Sequence, residues 1–149
     1  MAYFPDLTTS SPFACGPAIR AVGWLEQGRD YPTGKVRSRS RFLRDLQAIR
    51  AESHLPSDFP FRFDEMGMHT CQFCRDHHDT GDLLVPHGDL VFVAPTMIAH
   101  YVQSHEYLPP AEFVKAVSLC PLPSTPEYRE AIRFAIRSEP GGEPRLSRA

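Results

Sequence analysis

A chain of 149 residues with 42% apolar side chains has the material for one folded domain, which excludes wholesale disorder. A formal charge of -2 excludes both the strongly basic balance of a general nucleic-acid coat and the acidic balance of a solvating tail. No apolar run approaches the ~20 residues that cross a bilayer, so no membrane association is expected.

The N-terminus, M-A-Y-F-P-D-L-T-T, has neither a basic n-region nor an apolar h-region. With no signal peptide visible, a cytoplasmic location is expected, where a C-x2-C pair stays reduced. Fifteen prolines predict short elements joined by rigid turns. A strand is expected through Ala18–Leu25, with Trp24 anchoring the core from it. Cys15 and Cys120 read as small buried hydrophobes. Residues 38–51 predict a helix, because Phe42, Leu43, Leu46 and Ile49 recur at helical spacing. A turn-rich break at 55–60 and a short strand in F-R-F-D follow.

Residues 68–74 should form a tight knuckle whose backbone N–H groups can reach the thiolates. D-L-L-V-P at 82–86 and D-L-V-F-V-A at 89–94 read as two strands of a hairpin around His87 and Gly88. A helix should open at Pro95 or Thr96 and end near His105, since Pro109 and Pro110 stop it. Pro110 starts a further helix. Ser124 to Glu127 is a capping-box pattern that starts the last one, with Tyr128, Ile132, Ala135 and Ile136 on one face. The predicted class is α+β: a small antiparallel sheet, a knuckle–hairpin–helix unit like that of a zinc finger, and about four packed helices. The domain is expected to span 1–137, with 138–149 as a flexible tail.

Cys71 and Cys74, a gap of 25 residues, then His100 and His105 make the pattern C-x2-C…H-x4-H. Two thiols and two imidazoles are the ligand set of a tetrahedral Zn2+ site, and both short spacings suit it. The histidines stand five positions apart, about 140° around an ideal helix, so they converge only if the last turn distorts. His69, His77 and His78 are alternative ligands. Iron would also accept thiolate and imidazole. A closed four-ligand shell is structural; a three-ligand shell would leave a position for water and permit hydrolysis. The motif precedes a hairpin rather than opening a helix in a thioredoxin-like unit, which disfavours redox chemistry.

Lys35, Arg37, Arg39, Arg41, Arg44 and Arg50 form a basic stripe that could track phosphates, although no aromatic interleaves Lys35 to Arg41 for base stacking. Asp76, Asp79 and Asp82 could orient ligand histidines from outside the shell or bind a second metal. No catalytic motif is present and no catalytic residue is assigned. The leading reading is a non-enzymatic adaptor with a protein partner, for which exposed aromatics such as Tyr107 would serve. The alternatives are a zinc hydrolase using an Asp or His from 76–87, and nucleic-acid binding through the stripe from Lys35 to Arg50.

Several segments resemble a family of small, uncharacterised bacterial single-domain proteins. They are Y-F-P-D-L-T at 3–8, V-G-W-L at 22–25, P-T-G at 32–34, H-T-C-Q-F-C at 69–74, A-P-T-M-I-A-H-Y-V at 94–102, H-E-Y-L-P-P-A-E-F at 105–113 and S-T-P-E-Y at 124–128. The resemblance implies the same Cys/His set and no particular activity.

Overall fold

The computed structural model describes residues 3–10, 16–37, 40–53 and 68–137, which form an α+β fold of four helices and five strands. At its centre Asp82–His87 (β4) and Leu90–Pro95 (β5) pair antiparallel, with Leu83 opposite Ala94 and Val85 opposite Phe92. Gly88 takes a φ of 59°, the left-handed region that a two-residue hairpin turn requires. The remaining strand of this sheet, Ile19–Ala21 (β1), lies on the other side of β5 and runs parallel to it. The sheet is therefore mixed. A long crossover separates β1 from β5, and parallel neighbours need such a crossover.

Alternation along the strands sorts the core into two clusters. Leu83, Val85, Phe92 and Ala94 face three helices: Arg41–Ser53 (α1), Ile98–Ser104 (α2) and Ala111–Leu119 (α3). Ile19, Ala21, Val91 and Val93 face Trp24 and the helix Pro126–Arg137 (α4). Covered on both faces, β5 reads as a continuous apolar run in the sequence. A smaller hairpin, Met68–Thr70 (β2) with His78–Thr80 (β3), carries the knuckle.

Helix starts follow their caps. The Ser40 hydroxyl accepts the Leu43 N–H at 3.2 Å, so α1 begins at Arg41 rather than further upstream. Leu43, Leu46 and Ile49 then fall on its buried face. The α4 cap is Thr125, whose hydroxyl accepts the Tyr128 N–H at 3.3 Å and leaves Pro126 as the first helical residue. Ser124, the expected cap, instead donates its N–H and hydroxyl to Glu52 of α1 at 3.0 and 2.7 Å.

The first strand is shorter than expected, because Gly23 adopts a φ of 78° just after it. Trp24 still anchors the core: it is 1% exposed, and its indole N–H donates to the Val93 carbonyl at 2.9 Å. A Cβ on Gly23 would meet the Ile98 side chain at 2.8 Å. Gly23→Ala should therefore destabilise the fold by about 1–3 kcal/mol, through positive φ and overpacking together. Equilibrium urea unfolding checks this, and an unchanged midpoint would contradict it.

Tyr107 requires correction. It is fully buried, and its hydroxyl donates to Asp6 Oδ2 at 2.7 Å, so it is not available to a partner. Residues 32–34 pair with 106–108 and cover it. Cys120 is a free thiol packed against both clusters, and burial pushes it up to about 12. Cys15, Arg39, the break at 55–60, the F-R-F-D strand, the Ile136 side chain and the 138–149 tail lie outside the described residues. Among the described residues no helix is long and apolar enough to cross a membrane.

Candidate metal centre

The knuckle forms where the chain turns between β2 and β3. The Cys71 N–H donates to the His77 carbonyl at 2.9 Å, and the Arg75 N–H donates back to the Cys71 carbonyl at 2.9 Å. Arg75 takes a φ of 61° to finish the turn. Backbone N–H groups of Phe73 and Cys74 point at the Cys71 sulfur, as expected for a knuckle that holds a thiolate. Phe73, between the two cysteines, wedges its ring edge-on against Tyr31 and Tyr101 and 5.2 Å from His105. Gln72 accepts the Gln27 N–H at 3.1 Å and ties the turn to the N-terminal half.

Helix α2 supplies the histidines. His100 lies inside the helix, whereas His105 caps its C-terminus with φ -124° and ψ 15°. That departure from helical dihedrals removes the angular mismatch expected for histidines five positions apart. Glu106 follows in the left-handed region with φ 53°, the position that glycine often fills after a helix. The exit is held from outside: the Tyr31 hydroxyl donates to the His105 carbonyl at 2.9 Å, and the Gly34 N–H to the Glu106 carbonyl at 2.9 Å.

Ligand atoms of Cys71, Cys74, His100 and His105 all lie within 4.8 Å of one another, close enough to bind one metal ion. Cys71 Sγ is 3.3 Å from His105 Nε2, Cys74 Sγ is 3.4 Å from His100 Nε2, and the two Nε2 atoms are 3.2 Å apart. Zinc bonds of ~2.3 Å to sulfur and ~2.0–2.1 Å to nitrogen, at tetrahedral angles, place S···N at roughly 3.6 Å and N···N at roughly 3.3 Å. The two sets agree within a few tenths of an ångström.

The electrostatics suit a cation. Burial, then the neighbouring His77 and His105, lower His100 to about 4, and burial also lowers His105. Both shifts favour the neutral imidazole, the form that ligates. Burial pushes the Cys71 thiol up, against the pull of the two N–H groups aimed at it. A bound cation reverses that balance and holds the thiolate.

The alternative histidines fall outside the four. His69 sits on β2 with its Nε2 buried and without a hydrogen-bond partner among the described residues, while His78 is exposed with Nδ1 2.8 Å from the Thr70 hydroxyl. His77 lies flat on His100, ring centroids 4.1 Å apart and planes 4° from parallel. Asp79 is buried, accepts from Arg50 at 2.7 Å and stands 3.8 Å from His77. Asp76 is exposed, and Asp82 is buried on β4 with neither oxygen partnered among the described residues. The basic stripe is not uniform: Lys35, Arg37 and Arg44 are exposed, Arg41 pairs with Asp45 at 3.4 Å, and Arg50 is turned toward Asp79. No local pattern reveals Tyr31 or Arg50 as supports of the site, since each acts across a long sequence separation.

The chain matches no curated protein and no solved structure. Residues 2–118 match a family model described as a domain of unknown function, a span that takes in the knuckle, both histidines and the N-terminal segments packed around them. The chain belongs to that family, DUF7919.

Proposed function

We propose that Cys71, Cys74, His100 and His105 hold one Zn2+ in a closed structural shell, and that the protein is a non-enzymatic protein-interaction module. The carrying observation is four protein donors within 4.8 Å of one another, with two S···N distances and the N···N distance near those of a tetrahedral shell. Four protein ligands fill the shell of a structural zinc and leave no position for a substrate or an activated water. A hydrolase would need one of these side chains to stand aside, whereas His100 lies under the His77 ring and the backbone of His105 is held by Tyr31. Two reduced thiols as ligands also fit a cytoplasmic setting. Exposed Leu119 and Leu122, beside the α3–α4 junction, offer apolar surface to a protein partner.

The deciding experiment is elemental analysis of purified protein with X-ray absorption at the metal edge. One zinc per chain with two sulfur and two nitrogen neighbours is expected. An oxygen neighbour in place of one ligand would turn the reading toward hydrolysis. Iron in the same shell would replace the metal while keeping the structural role, and no metal at all would overturn the proposal.

A further inference from the structure

Arg50, at the end of α1, donates from Nε and Nη2 to the same Asp79 oxygen at 3.1 and 2.7 Å. The other Asp79 oxygen accepts the Thr80 N–H at 2.9 Å, which fixes the carboxylate on β3. The Asp79 side chain is only 7% exposed while that of Arg50 is 38% exposed, so the carboxylate end of the pair is buried and the guanidinium reaches it from solvent. Asp79 Oδ2 lies 3.8 Å from His77 Nε2, too long for a hydrogen bond but close enough for the carboxylate to border the ring. The His77 ring in turn covers one face of His100, while His105 meets His100 at 77°. A continuous path thus runs from α1 through β3 and the knuckle to a ligand on α2.

We propose that His77, steadied by the Arg50–Asp79 ion pair, is a positioning residue that fixes the His100 ring for the metal and couples metal binding to the docking of α1. This rests on reading the four residues as a metal centre. A ligand imidazole free to turn about its side-chain torsions aims its nitrogen at the ion only part of the time. A parallel ring at 4.1 Å removes that freedom. Partners that orient ligands from outside the shell are worth 10–100-fold in metal affinity. Coupling is reciprocal, so metal that favours this arrangement must also favour α1 held against β3.

The test uses the full chain and Zn2+ in competition with a chromogenic chelator. His77→Ala and Asp79→Asn should each weaken Zn2+ affinity about 10-fold or more. His77→Phe, which keeps a flat ring in place, should stay within about threefold of the wild type by the same argument. Co2+ loaded into His77→Ala should show shifted visible bands, and Co2+ in His77→Phe should not. Hydrogen exchange supplies a readout independent of affinity. Metal should protect amides in the last turns of α1 in the wild type, and Asp79→Asn should abolish that difference.

Asp79→Asn keeps its oxygen on the Thr80 N–H, so it remains informative should His77→Ala fail to fold. Wild-type affinity in Asp79→Asn, with α1 protection still metal-dependent, would overturn the coupling. Wild-type affinity and an unchanged Co2+ spectrum in folded His77→Ala would overturn the positioning role. A wild type that takes up no metal would instead sink the metal-centre reading, and this inference with it.

Discussion

Cys71→Ser should lose its metal and a large part of its thermal stability together. The Cys71 sulfur is buried and receives two backbone N–H groups, so the serine hydroxyl would occupy a pocket built for a thiolate and bind the ion poorly. Structural zinc in small domains supplies on the order of 10 kcal/mol of folding energy, because such a site does not preform in the unfolded chain. Here two apolar clusters around a three-stranded sheet share the task, so the variant should retain structure rather than unfold outright. We expect a loss of about 4 kcal/mol, which lowers Tm by roughly 10–15 °C at this chain length. Cys120→Ser is the control: its thiol lies away from the four ligands, so metal content should not change. Metal analysis and calorimetry on the two variants check the expectation, and Cys71→Ser with wild-type metal and Tm would sink the structural role.

Asp82→Asn should make the protein more stable at neutral pH and change how stability follows pH. Asp82 opens β4, is 6% exposed, and among the described residues has no hydrogen-bond partner on either oxygen. Burial alone pushes its carboxyl from 3.8 up to about 8. The folded chain therefore keeps this proton through a window, from about 4 to about 8, in which the unfolded chain has released it. Across that window unfolding releases a proton, so the contribution of Asp82 to stability falls by up to about 1.4 kcal/mol per pH unit. Below 4 the effect vanishes, and above 8 it levels off. The amide cannot ionise, so its variant should gain about 2–4 kcal/mol at pH 7.5; it falls short of the full integral because the amide is also unpartnered. Metal ligation acts in the opposite sense, strengthening as pH rises, and is common to both proteins. The informative quantity is thus the difference between their unfolding free energies from pH 4.5 to 8.5. A difference that does not grow with pH would show that Asp82 ionises in the folded state at little penalty.

How much of this was written locally in the chain depends on the distance over which each feature acts. The ligand quartet was legible because C-x2-C and H-x4-H are short-range geometries with a chemical meaning. The β4–β5 hairpin was legible from two apolar runs around His87 and Gly88, and the later helices from prolines and a hydroxyl cap. The β2–β3 hairpin was not, because M-H-T and H-D-T lack apolar alternation and pair only as the arms of the knuckle. The parallel docking of β1 on β5 and the Arg50–Asp79 pair depend on residues far apart in sequence, which periodicity cannot relate. The burial of Tyr107 is hidden from a local reading for the same reason, since its hydroxyl partner, Asp6, stands 101 positions away.

The single tryptophan also equips the molecule with its own optical gauge. Trp24 reaches β5 only when the N-terminal segment has closed over the sheet, 69 positions from its carbonyl partner. Its emission therefore reports closure of the central layer, while a cobalt-loaded centre would report the knuckle by absorption. Followed together during refolding, the two signals would show whether the ion nucleates the chain or is captured by a sheet already assembled.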